Sequence, residues 1–125
     1  MRVSLRLLMQ ENFWMNFVEI SVIAQKQIKD LRKRYHSIPD DILKLIDSLC
    51  KDPANAVSLG KNLYKKRFAI QSKGKGKSGS GRAIYVLYHS SPDQRIVILE
   101  VFDKSNKENI SAERLEELKK LSKGH

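Results

Sequence analysis

At 125 residues the chain is sized for one domain with a modest core, so one functional site is expected. A formal charge of +10 singles out nucleic acid or an anionic membrane surface as the partner classes. A lone cysteine, Cys50, excludes a disulfide framework and suits a reducing, cytoplasmic compartment; no apolar run approaches the roughly 20 residues of a membrane span.

Residues 1–14 place Arg2 and Arg6 among Leu5, Leu7, Leu8 and Met9, a faint signal-peptide pattern. Arg6 interrupts the apolar run, Gln10-Glu11-Asn12 ends it, and no small-residue cleavage site follows. The stretch is therefore expected to be an N-terminal extension or a misassigned start, with a single folded domain over residues 15–125. A strand is expected from Phe17 to Val22, where apolar and polar residues alternate. Ala24, Ile28, Leu31 and Tyr35 then recur at helical spacing, with Lys26, Lys29, Arg32, Lys33 and Arg34 on the wet side. Ser37 is read as an N-cap, with Pro39 in the first turn of a second helix. Its stripe is Ile42, Leu45, Ile46 and Leu49, and Asp52-Pro53 stops it.

Asn55 to Gly60 reads as a polar connection, followed by strands over Tyr64–Ile70, Ala83–His89 and Ile96–Phe102. Ser111 caps a last helix with Leu115, Leu118 and Leu121 on one stripe, and Ile110 is placed to staple to Leu115. The order predicts an α+β domain: a small, mainly antiparallel sheet with the N-terminal helical hairpin and the last helix on one face. The last three strands should form a meander, and the first should enter by a crossover.

The segment Leu63–Phe102 organises the rest. Between Asp52 and Asp93 there is no acidic residue, while Lys61, Lys65, Lys66, Arg67, Lys73, Lys75, Lys77 and Arg82 supply cations, so a polyanion is the natural partner. Gly74, Gly76 and Gly79 satisfy GxGxxG, but a dinucleotide site needs a helix after the loop and Ala83–Tyr88 reads as a strand. The same lack of a helix, with Gln71 at the first glycine position, excludes a Walker A loop around Gly76-Lys77-Ser78. A kinase glycine loop fails for want of HRD and DFG motifs.

Period two leaves Lys65 and Arg67 projecting together from the open face of their strand, while Phe68 and Ile70 turn to the helices. Arg82 joins them if the hairpin register places it on the same side, and Lys104 follows the last strand at the rim. Cations clustered on a small sheet repel one another, which favours a site built for an anion over a merely solvated face.

Arg67-Phe68-Ala69-Ile70-Gln71-Ser72, the run Lys73-Gly74-Lys75-Gly76-Lys77-Ser78-Gly79, and Arg82-Ala83-Ile84-Tyr85 precede Phe102-Asp103-Lys104 and Lys107. This pattern resembles the RelE superfamily of bacterial toxins, and within it the HigB-like branch, over Met15 to Leu121. The resemblance implies the RelE-like fold, with the helical hairpin on one face of a small twisted sheet and a C-terminal helix. It also implies a toxin of a type II toxin-antitoxin system that cleaves mRNA in the ribosomal decoding site and inhibits translation. Its implied partners are the ribosome, mRNA and an antitoxin encoded beside it, expected as a small helix-turn-helix protein, and no membrane. The family's catalytic cations fall on Lys65, Arg67, Arg82 and Lys104. RNA contacts are expected from Lys73, Lys75, Lys77, Phe102 and Lys107. Phe102 stands where many relatives carry a tyrosine, so stacking on a base remains but an aromatic hydroxyl does not.

RNA cleavage of this kind needs the 2′-hydroxyl deprotonated and in line with the leaving 5′-oxygen, and the extra phosphate charge stabilised. Arginine does the second with its planar fork. His36, in a helix connection, and His89, at a strand end, lie away from the loop, which leaves Lys65 beside Arg67 and Arg82 as the expected base. With no cluster at metal-ligand spacing, no cofactor is expected. The rival reading is a non-catalytic inhibitor of the same fold that binds a target such as gyrase, as in the ParE branch; it should weaken gradually as cations are removed, where catalysis should collapse.

Overall fold

The computed structural model describes residues 16–74, 79–89, 94–105 and 111–123. Strand β1 (Asn16–Ile20) leads into helices α1 (Val22–Arg34) and α2 (Ile38–Lys51). Four strands follow: β2 (Val57–Gly60), β3 (Leu63–Phe68), β4 (Gly81–His89) and β5 (Gln94–Asp103). Helix α3 (Ala112–Lys123) closes the chain. The sheet order is β1-β5-β4-β3-β2, with β1 parallel to β5 and the other neighbours antiparallel. The meander and the crossover are those the pattern predicts. The supposed polar connection Asn55–Gly60 is corrected: it contains β2, a short edge strand joined to β3 through Lys61 and Asn62, both with positive φ (55° and 63°). Two consecutive residues in that conformation match the twist of a tight hairpin, and asparagine tolerates it well.

The first helix begins where the first strand ends. The Ser21 hydroxyl accepts from the Ala24 N–H (3.1 Å) and donates to the Leu99 carbonyl (3.2 Å), so one side chain caps α1 and ties it to β5. Because β1 stops at Ile20, opposite Ile98, no strand among the described residues pairs with the end of β5 on that side. Gln27 of α1 fills in, accepting from the Val101 N–H (2.7 Å) and donating to Glu100 (3.1 Å). In α2, Ile42, Leu45, Ile46 and Leu49 are buried as the stripe predicts, and Ile38 at the start of the helix is buried with them. Ser37 stands at the N-cap position, but its hydroxyl donates to Asp41 (2.6 Å) instead of capping a backbone N–H.

Two apolar layers sandwich the sheet. Ala83, Tyr85, Leu87, Ile96, Ile98 and Val101 pack with α1 and α2, while Ile84, Val86, Leu63 and Phe102 face Leu118 of α3 on the other side. Placing all the helices on one face is thus corrected. An α3 of this pattern can bury its leucines only where the hairpin helices have left apolar strand residues uncovered. Arg114 fixes it there, donating to the buried Glu100 carboxylate at 2.8 and 3.1 Å. Burial of an apolar side chain of leucine size stabilises by roughly 1.5–3 kcal/mol, so neither layer is dispensable.

Candidate phosphate site at the end of the sheet

The strand register brings the predicted cations together. Arg67 on β3 lies opposite Arg82 on β4, which lies opposite Phe102 on β5, and Lys65 lies opposite Ile84. Ile84 and Phe102 belong to the layer facing α3, so Lys65, Arg67 and Arg82 share that face. Directly opposed residues hold their Cβ atoms about 4.5–5.5 Å apart, and like charges in that position repel. Arg82 is 8% exposed, and its Nη1 donates to the Gly81 carbonyl (2.9 Å) and to the Gly79 carbonyl. Burial, and then the charge of Arg67, lowers its pKa from the ordinary arginine value. A guanidinium nonetheless stays charged in proteins, so the arrangement holds two fixed cations against their mutual repulsion.

Lys104 is exposed at the end of β5, and its N–H donates to the Ser80 carbonyl (2.8 Å), which binds the loop exit to the strand end. Lys65 is half-buried further along β3. Two glycines serve this end of the sheet. Gly79 has a φ of 77° and offers its carbonyl to Arg82. Gly81 lies under the Phe68 ring, where an added Cβ would sit 2.5 Å from a ring carbon, so no larger residue fits without moving the ring.

The loop entrance is fastened by two polar residues of α2 and its cap: Asp41, which sequence reasoning did not single out, and Ser37, which it read only as an N-cap. Asp41 of α2 accepts from the Gln71 N–H (3.2 Å), and Ser37 accepts from the Ser72 N–H (2.9 Å). Lys73, expected on RNA phosphate, is corrected: its side chain is 13% exposed and its ammonium donates to both Asp103 oxygens (3.0 and 3.1 Å) and to Ser105 (2.7 Å). It also lies 5.6 Å from the centre of the Tyr35 ring, whose hydroxyl donates to Asp103 (2.7 Å). Burial alone would raise the Asp103 pKa. The backbone and hydroxyl of Ser105, together with Tyr35 and Lys73, outweigh it and hold the carboxyl down at about 2. The available signal was Asp103 itself, an acid at the mouth of a lysine-rich loop.

Phe102 is also corrected as a stacking platform. It is 6% exposed and packed in the layer under Leu118, so no base can lie on it in this arrangement. Tyr85 is fully buried, donates to the Pro53 carbonyl (2.6 Å) and stacks on Tyr64. His36 is exposed between α1 and α2, and His89 ends β4. Lys75, Lys77, Lys107, Ile110 and residues 1–15 lie outside the described residues. Among the described residues no helix is long and apolar enough to cross a membrane.

A family model described as the RelE toxin of the RelE / RelB toxin-antitoxin system matches residues 22–125. No curated protein matches the chain. The matched segment takes in both hairpin helices, four of the five strands and α3, and with them Lys65, Arg67, Arg82 and Lys104. The chain belongs to the RelE toxin family.

Proposed function

We propose that the chain is a cytoplasmic endoribonuclease toxin of the HigB-like kind, which cuts mRNA in the ribosomal decoding site and is neutralised by a helix-turn-helix antitoxin. The observation that carries this is the Arg67–Arg82 pair, opposed across β3 and β4 on the face that also bears Lys65. Two guanidiniums forced together form a receptor for a phosphate that gains charge during reaction. Lys65 takes the proton of the 2′-hydroxyl; the 2′-oxygen bonds to phosphorus as the bond to the 5′-oxygen breaks, giving a 2′,3′-cyclic phosphate and, once the leaving oxygen takes a proton from water, a 5′-hydroxyl end. Arg82, held by loop carbonyls, presents its remaining N–H groups to the phosphate oxygens, with Arg67 beside it and Lys104 at the rim. Such a site stabilises charge but does not bend a flexible strand into line, so the geometry of the attack comes from mRNA held on the ribosome. Primer-extension mapping of mRNA on translating ribosomes tests the proposal: cuts should appear with the protein and be nearly absent from naked mRNA. Growth arrest without any cut would favour the gyrase-type inhibitor instead.

A further inference from the structure

The outer side of the helical hairpin carries a groove that the phosphate site does not use. It encloses about 330 Å³ between α1 and α2, and its floor includes Ile20 of β1, Ile28 of α1, and Ile42 and Ile46 of α2. On α2, Pro39 and Leu43 lie one turn apart and keep that wall apolar, with Leu43 54% exposed. On α1, Gln25, Lys29 and Arg32 follow at i, i+4 and i+7, so the facing wall is polar and carries two exposed cations. None of the described residues that line the groove is acidic. The hairpin packs on the sheet face opposite the one that bears Lys65, Arg67 and Arg82, so this surface is separate from the phosphate site.

An apolar floor open to water between a leucine wall and a cationic wall fits an occupant with apolar side chains on one face and acids along one flank. The groove offers no sheet edge, so an extended segment laid in it would bury N–H and C=O groups without partners, whereas a helix satisfies its own. Charge then decides where that helix comes from. A second copy of this chain brings a formal charge of +10. Residues 1–15 of the chain itself have apolar side chains to offer, but their charged residues are Arg2, Arg6 and Glu11, cationic on balance. We propose that the groove docks an acidic amphipathic helix of another protein. Its leucine-type side chains, one turn apart, enter over Ile28, Ile42 and Ile46, and its carboxylates meet Lys29 and Arg32. Because this face is turned away from Arg67 and Arg82, the helix and an RNA strand bind together, and the proposal does not rest on the nuclease reading.

The test titrates the isotope-labelled full chain with a synthetic helical peptide of about 16 residues, with leucines at i, i+3, i+4 and i+7 and glutamates beside them. Two control peptides accompany it, one shuffled so that the leucines share no face and one with lysine in place of glutamate. The acidic amphipathic peptide should shift the backbone amide resonances of Ile28, Leu43 and Ile46 and bind roughly tenfold or more tightly than either control. Leu43→Glu, a change at an exposed position, should weaken it by a similar factor with the thermal unfolding midpoint unchanged. Shifts confined to Arg67, Arg82 and Lys104, equal binding of either control, or displacement of the peptide by single-stranded RNA would overturn the docking site. So would a contact between Trp14 and Leu43 in the free chain, which gives the groove to residues 1–15, or a dimer that Leu43→Glu dissociates, which gives it to a second copy.

Discussion

The Lys73 ammonium is bound to both carboxylate oxygens of Asp103, at 3.0 and 3.1 Å, and the pair closes the entrance of a lysine-rich loop onto the end of β5. One cation of the loop thereby becomes framework. The Ser80 carbonyl, accepting from the Lys104 N–H at the loop exit, secures the other end, so the strand ends that carry Arg67 and Arg82 are held from both sides.

Acid should loosen this end first. The folded-state pKa of Asp103, about 2, lies below the usual aspartate value, so its contribution is present above pH ~4 and is lost as pH falls through 2. The size is about 2 kcal/mol. Urea unfolding of the wild type and Asp103→Asn should show a stability gap at pH 5 that narrows towards pH 2. A gap independent of pH would mean that the carboxylate charge does not stabilise the fold.

Lys73 and its neighbours should separate in a salt titration. If about five cations contact a single RNA strand, log affinity against log salt should slope near −3 to −4. Replacing both Lys75 and Lys77 with alanine should flatten that slope by about 1.4. Lys73→Ala should leave the slope unchanged while lowering stability, because its charge already faces Asp103. A flatter slope for Lys73→Ala would return that lysine to the phosphate-binding set.

The contrast between Lys73 and Arg82 shows what a sequence can disclose here. Period two and the meander place Lys65, Arg67 and Arg82 on one face, because strand alternation and hairpin register are local properties of the chain. The partner of Lys73 is 30 residues away on β5, and no local pattern distinguishes a lysine aimed at a carboxylate from one aimed at solvent. The burial of Phe102 escaped notice for a related reason. Its cover, Leu118, comes from a helix whose choice of face depends on what the helical hairpin leaves open. β2 went unseen because four residues ending in glycine carry too short an alternation, though Asn62 in a tight turn was a usable sign.

The anchor of α3 should be measurable by itself. Arg114→Ala leaves the 3% exposed Glu100 carboxylate without its guanidinium, while Gln27 still donates to it at 3.1 Å. Removing one member of a buried ion pair costs about 3–5 kcal/mol; with Arg114 reached by solvent, about 2–3 is expected. Thermal or urea unfolding reads the loss directly. Arg114→Lys should recover only part of it, because two donors, Nε and Nη2, meet the carboxylate in the native pair.

The decisive substitutions lie at the opposed arginines and Lys65. If Arg82 stabilises the transition-state phosphate, Arg82→Ala should lower cleavage on ribosomes by roughly two orders of magnitude or more while ribosome association stays near the wild-type level. Because the guanidinium also holds the Gly79 and Gly81 carbonyls, Arg82→Lys is the informative companion. A lysine keeps the charge but loses the fork, so a rate close to that of the alanine variant would show that geometry matters more than charge. Lys65→Ala should slow cleavage as strongly, with residual activity rising at higher pH as hydroxide replaces the missing base. Proportional weakening of binding across all these variants, with cut sites unchanged in position and intensity at saturating protein, would mean that the cations hold RNA without taking part in the bond-breaking step.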